Sequence, residues 1–361
     1  MSCERTTGAR GYALLEMLIA AAVGAALMGV LFQFAVSAHA TAAVQGNMSD
    51  LQQRLRVAAE SLRRDLLLAG AGPSRGASAG PLGRVFPSIV PARLGTAGAD
   101  PELTFHDDRI SILYVPDTRA ETTLAAAMVD AGSPLAIDSN APGCPPTSAC
   151  DFAAGDRAVI FEPGAAGGAH DVFTIAAVDP AWGTLTAAAP LTRPYAAGAR
   201  IAAVVQRVYY LDRVAKRLMV YDGARSDVPL VDHVVDLRFS YLADPRPDAV
   251  PPPAGGAPGC AYAGSPPAPL LANLGGTGPK PLLESQLVDG PFCGEAPDRF
   301  DADLLRVRRV TVTIRLEAES PELRGTGPAF SSPGFSRTST KYLPDLQMAI
   351  SVAPRNVAGS W

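Results

Sequence analysis

The feature that most restricts this 361-residue chain is an absence of charge near its start: no Asp, Glu, Lys or Arg lies between Glu16 and Asp50. Within that stretch Met17–Val36 carries one polar side chain, Gln33. About twenty helical residues at ~1.5 Å each cover the ~30 Å of bilayer hydrocarbon, so the segment can span a membrane. Arg5 and Arg10 precede it, which places the N-terminus on the cytoplasmic side and exports the remainder of the chain. A cleaved signal peptide would use Ala38-His39-Ala40, but the apolar region exceeds the ~7–15 residues of such a segment and has Glu16 inside its start. A plain one-span anchor leaves Glu16 unexplained, because a carboxylate in hydrocarbon costs ~2.5–3.5 kcal/mol even on lenient scales.

Gly11-Tyr12-Ala13-Leu14-Leu15-Glu16 ahead of this long apolar run resembles the type IV prepilin motif. The resemblance implies that a membrane prepilin peptidase cuts between Gly11 and Tyr12 and methylates Tyr12. It also implies that Glu16, then the fifth mature residue, pairs with the terminal ammonium of a neighbouring subunit as an assembly contact. Such a pairing would offset the burial cost of Glu16 only on assembly. Tyr12 stands where Phe is commoner in that family, and Gln33 stands where many major pilins have Pro. Gly24, Gly29 and Gly46 are either weak points of the helix, at ~1 kcal/mol each relative to Ala, or small residues for close helix packing.

The helix is expected to outrun the membrane. Leu51, Leu55, Ala58/Ala59, Leu62, Leu66 and Ala69 form one apolar stripe at helical spacing, and Gly70-Ala71-Gly72-Pro73 supplies a stop. Such a helix would approach ~85 Å. Beyond it, short apolar runs broken by Gly, Pro and Asp predict strands at 109–115, 157–162, 171–178, 200–205, 208–211, 217–221, 234–242, 305–316 and 342–352. Asp-Gly, Pro-Gly and Gly-Gly punctuation favours antiparallel hairpins. The expected fold class is therefore α+β, a long N-terminal helix packed on an antiparallel β-sheet head. The expected segments are a leader (1–11), a transmembrane assembly helix (12–43), its amphipathic continuation (44–71) and a loop-rich start of the head (72–154). A β-rich insert (155–206) and the head sheet (207–361, with a Pro/Gly-rich insertion at 244–300) complete the chain.

Several features further along are similar to PilW-like minor pilins: Arg56-Val57-Ala58, Arg63-Arg64-Asp65 running to Ala69-Gly70, Gly155–Ile160, Val208–Leu211, Pro229–Tyr241 and Arg355-Asn356. The same features fit a J-type minor pseudopilin of type II secretion; K-type pseudopilins typically lack a glutamate at the position of Glu16. The resemblance implies a non-enzymatic subunit without cofactor, in the inner membrane with a periplasmic head, and at the cell surface after assembly. Its implied partners are the prepilin peptidase, other minor pilins or pseudopilins, the major pilin, the assembly platform and the membrane. A membrane-tethered adhesin or ligand-binding protein is the alternative of another class.

Of five cysteines, cleavage after Gly11 would remove Cys3 and leave an even number, Cys144, Cys150, Cys260 and Cys293. Four allow three pairings; sequence order and loop lengths favour Cys144–Cys150 and Cys260–Cys293. Their spacing is poor for zinc, and an oxidising periplasm suits them better. A net charge of −4 argues against a nucleic-acid binder relying on a broad basic surface. Gly76-Ala77-Ser78-Ala79-Gly80 matches G-x-S-x-G but comes after a helix rather than a strand, and Gly275–Lys280 lacks P-loop order and is flanked by Pro279 and Pro281. Asp298, Asp301 and Asp303, and also Asp107-Asp108, read as solvated loop acids rather than a calcium site, so no metal is expected. Tyr209, Tyr210 and Tyr241 read as sheet or core aromatics.

Overall fold

The computed structural model describes residues 12–72, 87–116, 121–141, 144, 149–162, 170–245, 274–290, 292–293, 299–335 and 342–356. One helix, α1 (Tyr12–Leu68), runs without a break, as the absence of Pro permits. Gly70 ends it with φ +76°, a left-handed turn that a side chain disfavours.

The chain divides into two units, residues 1–53 with 317–345, and residues 54–316 with 346–361. In the first, residues 12–53 of α1 are joined by irregular chain that includes a 3-10 turn, Pro321–Leu323. Arg324 organises that chain: it reaches Glu317 at 3.2 Å and donates to the carbonyls of Ala318 and Glu319. Gly334 packs so tightly that a Cβ would collide with the carbonyl of Arg324.

The second unit holds the sheets. Five strands form one antiparallel sheet in the order β1 (Ile89–Val90), β2 (Arg109–Tyr114), β9 (Val205–Asp212), β10 (Arg217–Tyr221) and β11 (Asp227–Asp232). Four form another: β13 (Lys280–Leu282), β12 (Val234–Ala243), β16 (Val307–Leu316) and β17 (Leu346–Val352), also antiparallel. Strands β14 (Phe292–Cys293) and β15 (Phe300–Asp301) make a two-residue ladder.

Between the adjacent strands β2 and β9 the chain leaves to build a six-stranded sheet, ordered β3 (Glu121–Thr123), β8 (Arg200–Ala203), β5 (Arg157–Phe161), β6 (His170–Asp179), β7 (Thr184–Ala187) and β4 (Leu135–Ala136). It buries its own core, including Leu124, Leu135, Phe152, Ile160, Ile175, Leu185, Tyr195 and Ile201. This excursion starts at Glu121 rather than at Gly155. Its outer strands, β3 and β4, are too short to leave an alternating pattern, so the sequence reads them as loop.

The described part of the 244–300 insertion is not merely surface chain. Leu282, Leu287, Gly290 and Phe300 are buried, and β13 pairs with β12. Pro281 is tolerated there because β13 is an edge strand. The strand expected from residue 305 starts at Val307, after a 3-10 turn at Ala302–Arg306, and the strand expected from 342 starts at Leu346.

Candidate functional site

Tyr12 opens α1, while Gly11 and the leader lie outside the described residues. From Leu14 to Ala40 every residue of α1 is exposed, and the helix is long and apolar enough to cross a membrane. Glu16 sits exposed at the head of this stretch and makes no hydrogen bond or ion pair with any described residue. Around Gly24, Gly29 and Gly46 a Cβ would meet nothing within 4 Å, and the helix runs through all three. Any close packing at those glycines therefore has to come from another molecule.

The C-terminal part of α1 has the opposite character. Leu55, Ala58, Leu62 and Leu66 are at most 1% exposed, while Arg63 and Glu60 face solvent 3.8 Å apart. Asp65 falls on the buried side. Its carboxylate accepts from the Tyr209 hydroxyl at 2.7 Å and from the Tyr114 hydroxyl at 3.5 Å, with Arg64 Nε at 3.5 Å. The Tyr209 oxygen also lies 2.9 Å from Ser61 Oγ. Burial first, and the Asp65 charge second, push both phenols above their ordinary range, so they stay protonated as donors. One turn on, the Gly70 amide donates to the Leu113 carbonyl in β2 and fixes the helix exit. The apolar stripe announces the buried face, but the Asp65 cluster is missed by sequence reasoning because its members are about 50 and 144 residues apart.

Cys144 and Cys150 are joined in a disulfide within the insert. Cys293 lies in β14, while Cys260 and Cys3 lie outside the described residues, as do the Ser78 loop and Asp298. Gly275, Gly276 and Gly278 have positive φ, and the chain enters strand β13 at Lys280 rather than a helix, so this segment is a turn.

The acids read as solvated are mostly not so. Asp301 and Asp303 are 1% and 0% exposed, and their oxygens lie within 4.8 Å of those of Asp289. Asp303 is neutralised by Arg306 at 2.6 Å, and Asp301 accepts from the amides of Gly290 and Asp303. Burial raises Asp301 to about 6 despite those amides, and neighbouring Asp303 adds to the rise. Asp108 is also buried, bracketed by Arg109 and Arg213, whereas Asp107 is exposed. Arg306 and Arg109 are sequence neighbours of Asp303 and Asp108, whereas Arg213 comes from 105 residues away, a contact that a loop-by-loop reading does not connect.

A cavity of about 300 Å³ opens beside Leu113, Arg157, His170, Gln206 and Phe300. Of its acids, Asp171 accepts from Thr192 and Tyr195, and Asp100 from Arg109 and the Arg93 amide. Arg157 donates to Gln206 Oε1 and to the Gly223 carbonyl. Tyr209 and Tyr241 are buried, as expected of core aromatics, while Tyr210 is half-buried and donates to Asp227. No protein-family model, curated protein or solved structure matches the chain.

Proposed function

We propose that this chain is a minor pilin of a type IV pilus, processed between Gly11 and Tyr12 and built into a filament initiation or tip complex. What supports the reading most is the exposed apolar stretch of α1 led by Glu16, a carboxylate with no partner among the described residues of its own chain. In hydrocarbon such a group needs a positive neighbour, and the ammonium freed on Tyr12 of an adjoining subunit has the right charge and depth. The sheet-bearing unit then supplies position-specific contacts, and its large insert is better suited to an end of a filament than to a repeating shaft. The chain works as a structural subunit in the inner membrane and uses no cofactor. The disulfide Cys144–Cys150 accords with an exported, oxidising compartment.

Mass spectrometry of the mature N-terminus tests the processing step. N-methyl-Tyr12 is expected; an intact Met1, or a chain beginning at Thr41, would overturn the proposal in favour of a plain anchor or a secreted binding protein. Glu16→Ala should leave membrane insertion unchanged and reduce incorporation into filaments by about tenfold or more, the equivalent of one desolvated ion pair. Undiminished incorporation would remove the pairing mechanism.

A further inference from the structure

The cavity of about 300 Å³ is bounded by several elements of the sheet-bearing unit. Leu113 and Gln206 come from β2 and β9, Arg157 and Val172 from β5 and β6, and Leu304 from the 3-10 turn before β16. The chain from Pro91 to His106 supplies another wall, and hydrogen bonds hold it at three levels. At its base the His106 amide donates to the Pro91 carbonyl at 2.8 Å. At its middle the Asp100 amide donates to the Arg93 carbonyl at 2.8 Å, and the Arg93 amide to the Asp100 carboxylate at 2.6 Å. At its tip the Thr96 amide donates to the Gly223 carbonyl and the Ala97 amide to the Tyr221 hydroxyl. The Arg93 guanidinium also lies over the rings of Tyr210 and Tyr221, at 4.3 and 4.9 Å. A wall held this firmly is formed before any ligand arrives, which lowers the entropy cost of binding.

Leu94, Leu103, Phe105, Leu113, Val172 and Leu304 make much of the lining apolar. Its two most buried acids are turned to donors of their own chain. Both oxygens of Asp171 accept from Thr192 or Tyr195, and both of Asp301 accept from the amides of Gly290 and Asp303. Gln206 differs. It is 3% exposed, its Oε1 accepts from Arg157 at 2.7 Å, and Gly223 packs so close to its amide that a Cβ there would collide with it. The Arg157 contact fixes which end of the amide is oxygen, leaving Nε2 as a donor at the other end. Among the described residues nothing accepts from that nitrogen. A buried donor on a residue that lines a roomy cavity calls for an acceptor within it. A water fills that role well only with further polar partners around it, and this lining is largely apolar.

We propose that this cavity binds a small uncharged molecule, apolar over most of its surface, whose carbonyl oxygen accepts a hydrogen bond from Gln206 Nε2. The apolar lining selects the body of the ligand and the fixed donor selects its polar atom, rejecting an ammonium group. The buried carboxylates of Asp171 and Asp301 disfavour an anion, because charge repulsion is poorly screened in a buried site. Arg157 does not reverse this, since its guanidinium already donates to Gln206 and Gly223 and its charge acts on Asp222. With the oxygens of Asp171 and Asp301 already accepting, a donor on the ligand gains little there, so tertiary amides, esters and ketones fit best. The volume is at the lower end of the ~300–1,000 Å³ usual for ligand pockets, which selects a compact molecule.

The test uses the full-length protein in detergent micelles at about pH 8, above the raised value of Asp301, so that both acids are charged. The probes are 1-acetylpiperidine, a neutral tertiary amide, and cyclohexanecarboxylate, an anion of the same size. Saturation-transfer NMR, corrected with protein-free micelles, should show saturable binding of 1-acetylpiperidine, and hydrogen exchange should slow across 91–106. Cyclohexanecarboxylate should bind about tenfold more weakly or worse, as expected for a charge brought beside buried like charges. Gln206→Glu keeps an oxygen for Arg157 and removes only the donor, so it should stay folded and bind the amide about tenfold more weakly, the equivalent of one hydrogen bond. Val172→Phe fills the cavity from half-buried β6 and should abolish binding while the melting temperature holds; it decides the question even if Gln206→Glu fails to fold. No saturable binding of the amide, equal binding by the unmodified chain and a folded variant, or tighter binding of the carboxylate overturns the proposal. None of these readouts depends on Gly11 cleavage or Glu16, so this inference and the proposed function fail separately.

Discussion

The two ends of α1 share one backbone and obey different solvents. Residues 14–40 present apolar side chains in every direction, while from Leu51 onward Leu51, Leu55, Ala58, Leu62 and Leu66 form one buried stripe, with only Val57 and Leu68 as large apolar side chains left exposed. An all-round apolar surface suits lipid; a stripe suits a protein core. Two carboxylates make the contrast sharper. Asp65 is buried and satisfied by two tyrosine hydroxyls from its own chain, whereas Glu16 lies among apolar residues and has no partner among the described residues. The first contributes to folding one subunit. The second has no partner among the described residues, and on the proposed reading a neighbouring subunit supplies one.

Truncating the stripe is the most severe way to break this comparison. Leu62→Ala, at a site 0% exposed, should destabilise the sheet-bearing unit by ~2–5 kcal/mol. The same change at Leu27, which is 59% exposed, should move its unfolding free energy by less than ~0.5 kcal/mol. Denaturant unfolding in micelles, monitored through the buried tyrosines, measures both. Equal losses would mean that the apolar N-terminal stretch packs on the protein, and the two-solvent reading of α1 would be wrong.

A smaller effect is expected at the buried carboxylate. Asp65→Ala removes the acceptor for Tyr209 and Tyr114 and should cost ~1–3 kcal/mol, the range for stranding buried hydroxyl donors. Tyr209→Phe should cost only ~1 kcal/mol, since Tyr114 still donates to Asp65. Glu16→Ala is the matched control: it should leave unfolding of the sheet-bearing unit unchanged, because that carboxylate has no partner among the described residues. An unfolding loss at Glu16 comparable to that at Asp65 would erase the distinction between them.

The legibility of each feature in the sequence depends on how local its signal is. Helix α1 and its Gly70 stop rest on residues three and four apart, and the long strands β2, β5, β6, β10, β12 and β16 rest on runs of β-branched and aromatic residues, so all are readable within a residue or two. The Cys144–Cys150 pair is close in sequence and is readable for the same reason. Two- and three-residue strands such as β3, β4 and β13 carry no periodicity and become strands only because a neighbour pairs with them. The Asp65–Tyr209 contact is not legible, because it depends on which distant side chain the fold delivers, and the burial of Asp301 and Asp303 is not legible because their local partners, Gly290 and Arg306, would sit beside them on a solvated loop as well. The Glu16 site is legible as chemistry, since charge inside an apolar run stands out without any tertiary information.

The gentlest probe addresses the exposed end of α1 alone. Gly24 and Gly29 lie within a continuous helix, have ordinary helical φ and have open space where a Cβ would go. Alanine at either position should therefore be tolerated by the isolated subunit and should stiffen the helix by up to ~1 kcal/mol. If these glycines serve only as points of weakness, filament incorporation should change little in the Gly24→Ala and Gly29→Ala variants. If they are contact points, the added methyl groups will hold neighbouring helices apart and incorporation will fall while the isolated subunit stays intact. A loss confined to assembly would extend the contrast from Glu16 to a whole face of the helix. A loss of subunit stability would show instead that the N-terminal stretch meets its own chain, against the open space seen at both glycines.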